Sequence, residues 1–118
     1  MTQDPGTPLI VTTHQAEDGL VVSVIGDLDV ETAETLISTC QKKRSSWGET
    51  VTFDCAEMTF LDSVGIRALI ELHNEAAASG IGFRMLHVPP AQLRVLEITQ
   101  LIDVLAVRGD TPVDTPEG

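Results

Sequence analysis

Between Leu20 and Ile25 the chain runs Leu-Val-Val-Ser-Val-Ile, and Gly26 ends the run. β-Branched residues at this density fit a pleated, half-buried surface, so the segment predicts a strand. A shorter apolar run, Leu9 to Thr13, precedes it, with His14 to Gly19 as the turn; the two runs are placed to pair as a hairpin. The period then changes. Ala33, Leu36, Ile37 and Cys40 recur at helical spacing, which predicts a helix capped by Asp29 and running to about Ser45. Glu31 and Glu34 in its first turns and Lys42, Lys43 and Arg44 in its last complement the helix dipole. Val51, Phe53 and Cys55 alternate with Thr52 and Asp54, a second strand pattern, and Ala56-Glu57 is a short polar connection after it.

Met58-Thr59-Phe60-Leu61 then leads into Asp62-Ser63-Val64-Gly65. From there Ile66, Leu69, Ile70, His73 and Ala77 fall on one helical face, while Arg67, Glu71, Asn74 and Glu75 point the other way. Gly80 suits the left-handed residue that closes a helix. Ser63 stands at the loop-to-helix junction as a candidate N-cap. Ile81 to His87 predicts another strand. Pro89-Pro90 opens a third helix, with Pro90 in its first turn and Leu93 and Leu96 turned inward, and Val104 to Val107 predicts a last strand. Strands alternate with helices after residue 20, so the expected class is α/β with a mostly parallel sheet and right-handed crossovers. A single domain over residues 9–107 is expected, with polar, flexible tails at 1–8 and 108–118.

Length and composition fit this picture. The chain has 118 residues, 42% hydrophobic and 21% charged, enough for one core of its own. With one Trp, three Phe and no Tyr, that core must be largely aliphatic. The net charge of −11, from 18 acidic and 7 basic residues, argues against a nucleic-acid footprint and against anionic lipid, and suits a basic protein partner. The start of the chain lacks the basic and apolar regions of a secretory signal, and no apolar run has the length of a membrane span, so the cytoplasm is the expected location. Cys40 and Cys55 lack metal spacing and are expected as buried free thiols.

Candidate chemistry gathers at Ser63, which admits three roles: helix cap, nucleophile or phosphate acceptor. A nucleophile elbow wants Gly-x-Ser-x-Gly, and no Gly stands two residues before Ser63; none of His14, His73 and His87 is placed by sequence as its base. Asp54, at the end of an apolar strand, raises a receiver-type phospho-acceptor. That chemistry also needs a Lys late in the chain, and the last lysine is Lys43, so a structural role at the strand end is favoured. Asp27 and Asp29 supply two carboxylates without a third ligand nearby, which argues for a cap and a surface acid over a metal site. Nothing resembles a P-loop, and no cofactor is expected.

Three segments together resemble one family. Phe60-Leu61-Asp62-Ser63-Val64-Gly65-Ile66 is similar to the [FL]-[IL]-D-S-x-G-[LIV] signature of STAS domains, the sulfate-transporter and anti-sigma-factor-antagonist fold. GDLDVETAETL at 26–36 resembles the family's G-E-L-D-x-x-T-A-x-x-L, with Asp27 in place of Glu. Leu96 to Leu101 resembles L-x-x-T-G-L, with Gln100 in place of Gly. The resemblance spans roughly Leu9 to Val107 and implies a mixed, mostly parallel sheet of about five strands with helices mainly on one side. It implies a non-enzymatic bacterial anti-sigma factor antagonist, whose unphosphorylated form binds an anti-sigma factor that is also a serine kinase and so frees a sigma factor. By the same resemblance Ser63 is the residue phosphorylated, with a phosphoserine phosphatase to reset it, and Asp27, Asp62, Ser63, Val64 and Arg67 lie on or near the partner-facing patch. Val64 stands where a small hydroxyl residue is often found. If the Gln100 position keeps a left-handed backbone, Gln is strained there as Gly would not be. A monomer or weak dimer is expected. The alternatives are a STAS scaffold subunit of a larger signalling assembly, or an interaction module of a transport or lipid system.

Overall fold

β2 (Leu20–Leu28) is the strand on which the sheet is built, and its pattern shows why. Leu20, Val22, Val24 and Leu28 are buried, while Val21, Ser23, Ile25 and Asp27 are half-buried on the other face. Such alternation fixes which face takes the helices. The computed structural model describes residues 8–105. Before β2 comes β1 (Ile10–Gln15), and after it α1 (Ala33–Lys42), a 3₁₀ turn over Arg44–Ser46, and β3 (Thr50–Asp54). Then follow β4 (Met58–Leu61), α2 (Ser63–Ala78), β5 (Gly82–Leu86) and α3 (Pro90–Ile98).

β1 pairs antiparallel with β2 from Ile10↔Ile25 to Gln15↔Leu20, the expected hairpin. The first half of β2 then pairs parallel with β3, from Val21↔Thr52 to Ser23↔Asp54. Its second half pairs parallel with β4, through Gly26↔Met58, Asp27↔Phe60 and Leu28↔Leu61. β5 extends the sheet beyond β3. The sheet thus has five strands, mostly parallel, as expected. One of the five is not the strand predicted: Met58–Leu61 is a strand, whereas Val104 and Leu105 lie in a turn. The remainder of that predicted strand, and the tails apart from Pro8, fall outside the described residues.

The core is the expected aliphatic one, with Trp47, Phe53 and Phe83 set into it. Trp47 is fully buried; its indole N–H donates to the Cys40 carbonyl at 3.0 Å, and the Arg44 guanidinium lies over its ring at 4.5 Å. α1 is shorter than predicted at both ends. Asp29 opens a turn before it and does not cap it, since Thr32 holds the cap position. Arg44 does not belong to the last turn of α1: it pairs with Glu75 on α2 at 3.2 Å. α2 is rotated from the predicted stripe. Gly65, Ile66, Ala68, Leu69, Leu72 and Ala76 are buried, Ile70 and His73 are half-buried, and Ala77 is exposed. α2 packs against both α1 and β5. α3 begins at Pro90 as predicted and packs on β4; Leu96 is buried, Leu93 half-buried, and Gln92 takes a buried position.

Two helices close in the same way. After α2, Gly80 has φ +71°, and the Ile81 and Gly80 N–H groups donate to Ala76 and Ala77 carbonyls. After α3, Gln100 has φ 61°, and the Leu101 and Gln100 N–H groups donate to Leu96 and Glu97 carbonyls. Both are Schellman closures, which need a left-handed residue. The strain expected at Gln100 is therefore present.

Candidate functional site

β2 and β4 run parallel, so both deliver their carboxyl ends to the same edge of the sheet. Asp27 comes from the first and Asp62 from just past the second. A bulge at Gly26/Asp27 re-aims the chain there. Gly26 has φ +105°, and a Cβ on it would stand 2.2 Å from the Pro8 carbonyl oxygen. Asp27 is half-buried, and its carboxylate accepts from the Thr59 hydroxyl on β4.

The turn from β2 into α1 is tied by its own short polar side chains. Asp29 Oδ1 accepts from the Glu31 and Thr32 N–H groups at 3.0 and 3.2 Å. The Thr32 hydroxyl donates to the Asp27 carbonyl at 2.7 Å and accepts from the Asp29 N–H at 2.9 Å. Asp and Thr at that spacing close the turn by side chain-to-backbone bonds. Its remaining corner, Val30, is 65% exposed.

Asp62, not Ser63, is the N-cap of α2. Its backbone is extended (φ −114°, ψ −175°), and its Oδ1 accepts from the Gly65 N–H at 2.9 Å. A carboxylate caps as well as a hydroxyl and adds charge at the positive end of the dipole. Asp62 also reaches sideways: its N–H donates to the Leu28 carbonyl at 3.3 Å, and its Oδ2 accepts from the Val30 N–H at 3.3 Å. Gly65 completes the junction by close approach, since a Cβ there would meet the Leu28 carbonyl oxygen at 2.4 Å.

Ser63 is thereby the first residue of α2, exposed and relieved of the capping role. Val64 is half-buried beside it. Arg67, four residues on and so on the same helical face, is exposed. All five residues singled out from the sequence lie at or beside this junction. Those not singled out are Thr32 and Thr59, which hold the aspartates, and the exposed apolar pair Val30 and Phe60, at 65% and 47% exposure. The Thr of Asp-x-x-Thr was legible as a turn signal; the exposure of Phe60 was not, because Met58–Leu61 had no clear period.

Other groups offer less. Burial pushes the Cys40 and Cys55 thiols up to about 12, with Glu75 and Asp54 adding to the respective shifts, so neither is a nucleophile. Asp54 accepts from the Ala56 N–H and stands 3.1 Å from His87 Nδ1, a strand-end tie. Near it an open depression of about 90 Å³, lined by Thr12, Ser23, Ile25, Asp54, Ala56 and Glu57, is well below the ~300 Å³ of a small-molecule pocket. No helix among the described residues is long and apolar enough to cross a membrane.

The fold that carries this junction has counterparts among solved structures. The anti-sigma factor antagonist SpoIIAA in its unphosphorylated form has the same fold, with a TM-score of 0.73 at 16% identity over 87% of this chain and 90% of that one. An anti-sigma factor antagonist from Mycobacterium paratuberculosis gives 0.71 at 23% identity, over 90% and 88%. The Bacillus cell fate determinant SpoIIAA in its phosphorylated form gives 0.67 at 16%, over 87% and 93%. The family model for the STAS domain matches residues 9–113, and a match over nearly the whole sequence makes this chain a member of the STAS domain family.

Proposed function

We propose that the protein is an anti-sigma factor antagonist that works as a switch without catalysis of its own. Its unphosphorylated form binds an anti-sigma factor that is also a serine kinase, and this frees a sigma factor. The kinase transfers the γ-phosphoryl group of ATP to the Ser63 hydroxyl, binding ends, and a phosphoserine phosphatase restores the hydroxyl. The observation that carries this is Ser63 itself: an exposed hydroxyl, not engaged as the cap, on the first residue of α2. Antagonists that share the fold support it, one of them solved in both unphosphorylated and phosphorylated forms.

The contact surface in this proposal is Asp27, Asp62, Ser63, Val64 and Arg67, carried by a domain over residues 9–107. Phosphate adds about −1.5 to −2 charges. Helix N–H groups stabilise an anion at Ser63 by about 0.3–1 kcal/mol, and Asp62 opposes it by about 1 kcal/mol or less when both are solvated. The fold is left nearly unchanged. A partner that must desolvate the new charge loses several kcal/mol, with every 1.4 kcal/mol about tenfold in affinity. Incubation with ATP and the cognate anti-sigma kinase should add one phosphate, and Ser63→Ala should abolish labelling while retaining binding. Labelling that persists in Ser63→Ala would refute the assignment.

A further inference from the structure

The two oxygens of the Asp62 carboxylate serve two different segments. Oδ1 accepts from Gly65 N–H inside α2 at 2.9 Å, and Oδ2 accepts from Val30 N–H, 32 positions away in the turn between β2 and α1, at 3.3 Å. One side chain therefore pins the start of α2 to that turn. The rest of the turn is held from within, by Asp29 and Thr32. Val30, the corner that Asp62 holds from outside, carries a largely exposed apolar side chain on the same edge as Ser63.

We propose that Asp62 is a positioning residue that couples the charge on Ser63 to the Val30 turn, and that this turn belongs to the surface a partner reads. The inference rests on Ser63 being the phosphate acceptor. With a free hydroxyl at 63, the carboxylate holds Val30 in place. A phosphate on the next residue brings three strong acceptor oxygens to the same first turn of α2. Phosphate and carboxylate then compete for the N–H groups and the positive end of the dipole, and repel each other. Of the two bonds the Asp62 carboxylate makes, the one to Val30 is the longer and lies outside the helix, so it is the one that yields. Phosphorylation thus removes an apolar contact as well as adding a charge. Arg67 offers the phosphate another destination, four residues along the same face. A phosphate that folds onto Arg67 would leave Asp62 on Val30.

The test uses the full chain with phosphoserine inserted at position 63 during translation, so no kinase is needed. Solvent-exchange NMR should show the Val30 amide exchanging at least tenfold faster with phosphoserine than with serine, while the Leu69 and Leu72 amides of α2 change less than twofold. Asp62→Asn separates the two roles: its single amide oxygen still caps Gly65, but its NH₂ cannot accept from Val30. In Asp62→Asn the Val30 amide should exchange fast already, with less than a twofold further effect of phosphoserine. Asp62→Ser, a cap too short to reach Val30, should behave the same way. A Val30 amide that stays slow in the phosphoserine chain overturns the coupling, as does a phosphoserine effect that survives in Asp62→Asn. Either result leaves the assignment of Ser63 standing, whereas failure of a kinase to label Ser63 would remove the assignment and say nothing about this coupling.

Discussion

Adding one methyl group at Gly65 should do more damage than helix propensity allows. Gly65 has an ordinary helical backbone, and Ala in a helix interior is favoured over Gly by about 1 kcal/mol. On propensity alone Gly65→Ala would stabilise the protein. The structure predicts the opposite. The new Cβ would sit 2.4 Å from the Leu28 carbonyl oxygen and 2.9 Å from Leu28 Cγ. The Leu28 side chain is fully buried, and its carbonyl, at the carboxyl end of the β2–β4 pairing, accepts from Asp62 N–H, so neither gives way without disturbing the sheet. The first turn of α2 must lift instead. That lengthens the bonds from Asp62 N–H to Leu28 and from Val30 N–H to Asp62. Overpacking costs about 1–3 kcal/mol, and each weakened hydrogen bond about 1 kcal/mol more. Less the gain in propensity, the net loss is about 3 kcal/mol, which in a fold of this size lowers the melting temperature by roughly 12 °C. Urea titration followed by fluorescence of the single, buried Trp47 measures it directly. Gly80→Ala is the control. It has open space and φ +71°, so it should lose only the left-handed term of about 1 kcal/mol. If Gly65→Ala melts at or above the wild-type temperature, close approach is not what selects glycine there.

Gln100→Gly should act in the stabilising direction, by about 0.5–1 kcal/mol after the extra freedom of the unfolded chain is allowed for, and a melting curve shifted downward would refute the strain. The buried thiols set an alkaline limit. Both stay protonated in the fold up to about pH 12 but ionise in the unfolded chain near pH 9, so their contribution is intact below pH 9 and lost as pH rises, by about 3 kcal/mol per unit for the pair. Urea midpoints at pH 7.5 and 10 should fall steeply in the wild type and less in a Cys40→Ala/Cys55→Ala chain; equal slopes would dismiss the thiols as the cause. At the partner surface, Arg67→Glu should weaken binding more than Glu97→Lys, which changes an exposed residue on α3, and titrations showing equal losses would count against the patch.

Most of the architecture was legible because β2 is dense in β-branched residues, β3 alternates in sequence, and the helices between the strands carry apolar stripes. Met58–Leu61 was not legible as a strand. It is four residues long, buried only at its ends, and is a strand because the second half of β2 needs a parallel neighbour. Val104 misled because a short apolar run does not by itself distinguish a strand from other buried structure; Val104 and Leu105 lie in a turn, with Leu105 buried. The junction was located, but its candidate cap was placed one residue late. Asp62 and Ser63 are both good caps, and sequence cannot tell which one the helix will start after. Only the extended backbone at Asp62, fixed by pairing to Leu28, decides it. The rotation of α2 also comes from outside the helix, from α1 on one flank and β5 on the other.

The divided pairing of β2 has a consequence for the order in which the molecule assembles. The β1–β2 hairpin is local and can form first. Joining β2 to β3 closes a segment of about thirty residues, at a chain-entropy cost of about 3 kcal/mol. β4 lies only a few residues beyond β3, so once β3 has docked its own pairing to the far end of β2 requires only a short closure, at about 1 kcal/mol. The Asp62–Ser63 junction can exist only after both events, because its anchors are carbonyl and amide groups of the β2 end. A nascent chain or a partly folded one therefore displays the serine without its setting. Under the proposed phosphorylation of Ser63, transfer that depends on the junction would be confined to molecules that have completed their sheet, and the phosphate would double as a mark of successful folding.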